Sequence, residues 1–401
     1  MKITKKNIIF SSGILLILLI IILSIIHLYK IKTAKVEVVL KDNLEVEFNE
    51  KRRINSFIKS INGKIPKNNY VNTKKLGKKE ITFQYINNDN IKVSYTFSYK
   101  VVDKTPPIIW LTKRYSLPVG QDIDLESSIM CGDNYDSTPQ CSIEGNYNLN
   151  EVGEYPLVYK AEDNSGNKTT QEFILNIYKP QKNSNTPQEE VRTNFEEIRK
   201  KHKNKNTKIG LDISKWQEEI DFKKLKEAQV EFVMIRIGGT RGIGGKYFID
   251  EQFKRNITEA KKYHIPVGIY FYSYANSKKQ AIKDAKWVIG QIKNYDIDLP
   301  IALDWEDWTD FNHYHISFYQ LTEIAKSFMK ELQDSGYKTM LYSSKNYLEQ
   351  IWLETNYDTW LAHYTEETNY EGNYLMWQLC ENGKVDGIKG NVDIDVMYQN
   401  E

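Results

Sequence analysis

The sequence predicts a modular chain: one N-terminal membrane-spanning helix, two small all-β sandwiches in tandem, and a C-terminal α/β barrel of about eight strands and five helices. Three observations lead there. Residues 8–29 form a single apolar run, residues 36–178 carry β-rich patterning broken by Asn-rich turns, and strand and helix patterns alternate from residue 209 onward.

Composition narrows the class. With 401 residues the chain is too long for one ordinary core, so several domains are expected. The 27 Tyr, 15 Phe and 8 Trp exclude a mainly disordered protein. The negative mean hydropathy excludes a polytopic membrane protein. A net charge of +2 argues against nucleic acid as a partner, and three cysteines without zinc-finger spacing give no metal scaffold. The charge is unevenly spread. Residues 208–401 hold 23 Lys+Arg and 30 Asp+Glu, which leaves 32 and 23 for the preceding part, so the N-terminal half is basic and the C-terminal half acidic.

The first element is the run Ile8 to Tyr29, interrupted by Ser11, Ser12, Gly13, Ser24 and His27. About 20 residues at about 1.5 Å each span a hydrocarbon core of about 30 Å. The run exceeds a signal-peptide apolar core and no small-residue cleavage site follows it, so it reads as an uncleaved signal anchor behind a cytoplasmic tail of residues 1–7. Lys2, Lys5 and Lys6 on one side and Lys30, Lys32 and Lys35 on the other leave the positive-inside count undecided. The chemistry downstream needs an external location, which sets the orientation: N-terminus cytoplasmic, the bulk outside, a single pass in the cell membrane.

Residues 36–178 contain strand patterns at 36–40, 80–85, 93–97 and 172–177, with turns at 87–90 and 164–167. They also contain a repeat. Leu76-Gly77 followed by Ile81 and Phe83 parallels Val152-Gly153 followed by Leu157 and Tyr159, and Pro106-Pro107 makes the joint. Two β units result, residues 36–104 and 105–178. The second carries Gly153, Tyr155, Tyr159, Ala161, Asp163, Gly166 and Asn167, a pattern that resembles the small bacterial immunoglobulin-like modules of cell-surface proteins. Cys131 and Cys141 either close a short disulfide loop or are two buried thiols. Asp133, Asp136, Asp163 and Asn164 read as turn formers in preference to a calcium site. Residues 179–207, with Pro180 and Pro187 among polar residues, read as a linker with a short helix near 191–200.

In residues 208–401, strands are expected at 209–212, 232–237, 267–272, 300–304 and 338–342, with helices between them, and then at 359–362, 375–378 and 391–394 without helices. In a parallel barrel the catalytic groups sit at the C-terminal ends of strands. Asp212 ends the first strand and Asp304 the fourth. Glu306 follows Asp304 at i+2 and so shares its inward face. Asp393 lies on the last strand, which closure brings beside the first. A carboxylate cluster raises the pKa of one member and suits it to general acid work. Tyr270, Tyr342, Tyr364 and Trp377 are candidates to line a sugar site. His313 and His315 with Asp310 lack a third convergent ligand and read as a solvated loop, so no metal is assigned.

These residues sit in five ordered motifs: 212–217 with Asp212, Ser214 and Gln217; 232–236; 267–273; 299–306; and Trp377-Gln378 followed by 385–393. Together they resemble glycoside hydrolase family 25 over residues 208–401. The resemblance implies an incomplete barrel, a lysozyme cutting the β-1,4 bond between N-acetylmuramic acid and N-acetylglucosamine of peptidoglycan glycan strands, and no cofactor. It implies Glu306 as general acid, Asp304 as its partner, and Asp212 and Asp393 completing the acidic site. Two positions depart from the family pattern: Asp395 stands where Asn is frequent, and Cys380 where Ser or Thr is. The rival reading is a non-catalytic glycan-binding scaffold, which the presence of Asp304 and Glu306 disfavours. The basic N-terminal half is expected to act as a spacer that also meets anionic wall polymers.

Overall fold

The structure, a computed structural model, describes residues 5–65, 67, 69–180, 191–353 and 357–399, with only the backbone described for residues 5–16 and 27. The chain divides into two compact units, Met1–Lys104 and Thr105–Glu401.

The first unit opens with a 29-residue helix, Lys5–Thr33. Among the described residues no helix is long and apolar enough to cross a membrane. The expected span falls in part on positions whose side chains lie outside the description. Its described apolar side chains, Ile17 to Ile22 among them, are exposed. The β part is built on a hairpin of Gly77–Asn87 with Lys92–Val102. Alternation puts Phe83, Tyr85, Phe97 and Tyr99 inside, against Phe57 from the short helical turn Ile54–Phe57.

The second unit contains the counterpart hairpin, Gly153–Glu162 with Lys168–Tyr178. Each copy of the repeat therefore starts its long strand at the repeated glycine and buries Phe83 or Tyr159 at the same offset. Cys131 and Cys141 are bonded. Asp133 and Asp163 spend a carboxylate oxygen on turn amides, those of Tyr135 and Asp136 and those of Ser165 and Asn167.

The barrel strands are β1 (Thr207–Ile213), β2 (Val233–Thr240), β3 (Val267–Tyr272), β4 (Ile301–Asp304), β5 (Thr339–Ser344), β6 (Asp358–Ala362), β7 (Met376–Lys384) and β8 (Val392–Tyr398). The pairs from β1–β2 through β6–β7 are parallel, whereas β8 runs antiparallel to both β7 and β1 and closes the barrel. Helices Phe222–Glu227, Phe253–Lys262, Lys278–Ile292, Phe318–Asp334 and Lys345–Gln350 follow β1 to β5 in turn, and among the described residues no helix follows β6 or β7. The connection from β6 to β7, residues 363–375, is long enough to cross over and keep the strands parallel, whereas that from β7 to β8, residues 385–391, is too short to do so, and the last strand returns antiparallel.

Period two sorts every strand. Ile209, Leu211 and Ile213 of β1, Val233, Ile235 and Ile237 of β2, and Val392, Ile394 and Val396 of β8 pack outward under the helices. Phe232, Met234, Ala302, Met340, Trp360, Met376 and Met397 fill the interior. Gly210 and Gly268 are required by that filling. A Cβ on Gly210 would lie 2.5 Å from the Phe232 carbonyl oxygen, and one on Gly268 would lie 2.2 Å from the Met234 sulfur.

Residues expected as linker contribute to the barrel instead. Thr193–Asn194 pairs with β7, the helix Phe195–His202 follows with Asn194 as its cap, and Phe195 is buried in the core outside the strands. An aromatic residue in a charged segment was the signal for this packing.

Candidate active site

The mouth of the barrel is assembled from strand ends. Asp212 is the last inward residue of β1. Because β8 is antiparallel, its start lies at the same mouth, and Asp393 pairs directly opposite Asp212. Asp304 ends β4 with Tyr272 and Tyr342 as its flanking partners. Trp305 turns outward, buried, with its indole N–H donating to the Ala275 carbonyl at 3.2 Å. Glu306 returns to the inner side and is half-buried. The four acids read from the sequence are therefore brought together.

Gln378, inward on β7, joins two of them, Asp212 and Asp393. Its Nε2 donates to Asp212 Oδ2 at 2.7 Å and to Asp393 Oδ2 at 3.3 Å. Its Oε1 accepts from the hydroxyls of Tyr342 at 2.8 Å and Tyr364 at 3.0 Å. The amide thus uses both donors and both acceptor positions and has one orientation.

Asp395 lies one inward step deeper than Asp393, fully buried, accepting from the Trp360 indole N–H at 2.8 Å. Its register partner on β1 is Gly210, whose missing side chain leaves room for it. One cation approaches from the side. Arg236 on β2 is held by the buried Asp250, with its Nη2 and Nε at 2.6 and 2.8 Å from Oδ2.

The electrostatic result is a set of acids that resist ionisation. Burial, then the neighbouring Asp395, push the Asp212 pKa well up. Burial and the charge of Asp212 push Asp393 up to about 9. Burial raises Asp395 well above the carboxylate range. Asp304 is pushed up by burial and by Glu306, and Glu306 by burial. Two carboxyls this close and this dry cannot both ionise, so the Asp304–Glu306 pair keeps a proton beyond the pH at which ordinary carboxyls lose it.

The aromatic candidates divide. Tyr364 stands at the rim, 49% exposed. Tyr270 is half-buried within the barrel, edge-on to Trp360 at 5.9 Å, and Tyr342 is buried beside Asp304, its register partner. Trp377, expected to line the substrate site, does not. Gln378 faces inward, so its neighbour faces outward, where the Trp377 indole donates to the His363 carbonyl at 2.8 Å and meets the His202 ring at 5.5 Å. Trp216 was not singled out in the sequence. It is 71% exposed on the helical turn Lys215–Gln217 that directly follows β1, so its indole reaches the rim. Gln378, Asp395 and Arg236 were also missed as site residues. The inward alternation that joins Glu306 to Asp304 also selects Asp395 from Asp393. Cys380 is a buried thiol whose pKa burial raises to about 11, which makes it inert as a nucleophile. His313, exposed, has Asp310 as its acidic neighbour at 3.7 Å.

Residues 211–388 match Glycosyl hydrolases family 25. The chain is similar to the autolytic lysozyme of Clostridium acetobutylicum, 27% identical over 189 residues that cover 46% of this chain and 54% of that protein. It is similar to the uncharacterized protein YegX of Escherichia coli O157:H7, 25% identical over 202 residues, 48% of this chain and 70% of that one. Among solved structures it is similar to the modular autolysin LytC from Streptococcus pneumoniae in complex with synthetic peptidoglycan ligand, at 26% identity and a TM-score of 0.43, covering 60% of this chain and 56% of that one. The chain thus spans about half the length of the autolytic lysozyme and of LytC.

Proposed function

We propose, for a chain whose residues 211–388 are a family 25 glycosyl hydrolase domain, that it is a membrane-anchored peptidoglycan hydrolase cutting the β-1,4 bond between N-acetylmuramic acid and N-acetylglucosamine, in wall remodelling or local wall opening. The observation that carries this is the convergence of Asp212, Asp304, Glu306 and Asp393 at one mouth, with a proton retained on the Asp304–Glu306 pair. Glu306 protonates the leaving glycosidic oxygen, and Asp304 tunes and orients it. Asp212 and Asp393 resist ionisation while no positive charge lies beside them. The oxocarbenium-like transition state places positive charge there and favours their ionised form more than the ground state does, which is the differential binding that catalysis needs. The likeness to an autolytic lysozyme supports the substrate class.

The apolar run at residues 8–29, within a 29-residue helix, supports the anchor, with the N-terminus cytoplasmic and the barrel outside. Residues 36–178 serve as the spacer, and their lysines meet anionic wall polymers.

The test is digestion of purified walls followed by mass spectrometry of the new reducing ends. Muramic acid at the reducing end supports the reading. Glucosamine ends, or no release, overturn it. Fractionation of cells making the full chain tests the anchor: the chain should pellet with membranes and be shaved by external protease.

A further inference from the structure

We propose that the second β module, residues 105–178, is part of the catalytic machinery of the site described above, and that Asn312 and Trp110 are positioning residues for Glu306. The proposal rests on the hydrolase reading and on contacts within the second compact unit. The segment between β4 and the helix Phe318–Asp334 is long and irregular, with one helical turn at Phe311–Tyr314. Such a segment costs conformational entropy to hold still, and it begins at the general acid.

The β module holds this segment at three places. The Asn312 side chain enters the module as a strand residue would: its Nδ2 donates to the carbonyls of Ile129 at 2.9 Å and Ser127 at 3.1 Å, and its Oδ1 accepts from the Cys131 amide at 2.9 Å. The first amides of the helix, Phe318 and Tyr319, donate to the carbonyls of Asp133 at 2.8 Å and Asn134 at 3.2 Å. Helix N-termini leave such donors without intrahelical partners, and here the module supplies the acceptors. The approach is close enough that a Cβ on Gly132 would lie 2.6 Å from the Phe318 ring.

The third contact is a column of rings leading to the acid. Trp110 of the module stacks on Tyr347 at 4.7 Å, Tyr347 stacks on Trp308 at 4.1 Å, and Trp308 meets Trp305 edge-on at 4.8 Å. Trp305 lies between Asp304 and Glu306 in the chain, and the Trp308 amide donates to the Glu306 carbonyl at 2.8 Å. Met130 of the module is buried in the same core as these rings. Module and barrel thus share a core, and the segment that places Glu306 is held between them.

The test uses the full chain with Trp110→Ala, Trp110→Phe, Asn312→Ala and, as control, Glu306→Gln. Misplacing a catalytic group slightly costs up to about 100-fold. Trp110→Ala and Asn312→Ala should lower kcat about tenfold or more with KM within about twofold. They should also move the alkaline limb of the pH–rate profile to lower pH, because a loosened segment hydrates Glu306. Trp110→Phe should restore most of both. Hydrogen exchange provides a second readout that needs no activity: amides 306–316 should lose protection in the two alanine variants while β4 keeps its own. Unchanged kcat with unchanged exchange overturns the proposal, as does a kcat loss without a shifted alkaline limb or rescue by Phe. An inactive wild type, or an active Glu306→Gln, overturns the hydrolase reading instead, and the exchange measurement still decides whether the module braces the segment.

Discussion

Asp212 and Asp393 face each other across the antiparallel seam that closes the barrel, and one amide nitrogen of Gln378 bridges them at 2.7 and 3.3 Å. Two acids on strands of opposite direction can share a mouth only because one ends its strand and the other begins its own.

Gln378→Leu should therefore impair catalysis without unfolding the chain. It removes the donors that hold Asp212 and Asp393, and it leaves the Tyr342 and Tyr364 hydroxyls without their acceptor. The Gln378 hydrogen bond lowers the Asp212 pKa, so its loss raises that pKa further. The acid limb of the pH–rate profile should move to higher pH, with kcat down at least about tenfold. An unmoved acid limb would count against the bridge.

Glu306→Gln should keep the fold and abolish wall clearing, because an amide cannot protonate the leaving oxygen. The expected loss is about 10²–10⁴ in rate. Turbidity assays on purified walls measure it, and clearing at the wild-type rate would remove Glu306 from the acid role.

Asp395→Asn should stabilise the chain increasingly as pH rises above about 4, and not below it. The folded pKa of Asp395 is raised by burial, above an unfolded value of about 3.9. Between those values the folded state binds more protons, so stability is full below about pH 4 and falls as pH rises toward the folded value. Asp393, at about 9, contributes over the window from about pH 4 to pH 9 with the same sign. The amide keeps an acceptor for the Trp360 indole and has no charge to bury. Calorimetry should show a Tm gain of about 2–4 °C at pH 8 and none at pH 4. An equal gain at both pH values would refute the linkage.

On the proposed reading, Trp216→Ala should raise KM several-fold with little change in kcat, and Tyr364→Ala should raise KM and also lower kcat because its hydroxyl donates to Gln378. Both rings stand exposed at the rim, where an aromatic face suits a sugar ring away from the bond that breaks. Trp377→Phe should leave KM unchanged, because that ring faces away from the mouth. A KM effect at Trp377 alone would reverse the assignment.

Cys141→Ser opens the Cys131–Cys141 loop, whose ends are 10 residues apart. Disulfides contribute about 2–4 kcal/mol, and loops this short lie near the lower end. Tm should fall, and an added reductant should lower the wild type to the same value. A reductant-insensitive wild type would exclude the disulfide.

The strand–helix alternation of the barrel and the strand-end positions of Asp212, Asp304, Glu306 and Asp393 were legible in the sequence, because each rests on local periodicity. Period two placed Glu306 with Asp304, and strand-end position selected Asp212. The sequence also carried the repeat that begins at Gly77 and Gly153. Tertiary structure decided what depends on direction and on neighbours distant in the chain. The reversal of β8 made Asp395 a buried fifth acid, and the inward choice of Gln378 turned Trp377 away from the site. Packing drew residues 193–202 out of the expected linker and joined the second β module to the barrel through Asn312, Trp110 and Gly132. None of these contacts has a periodic signature, because a single side chain meeting a surface some 180 residues away in the chain leaves no local pattern to read.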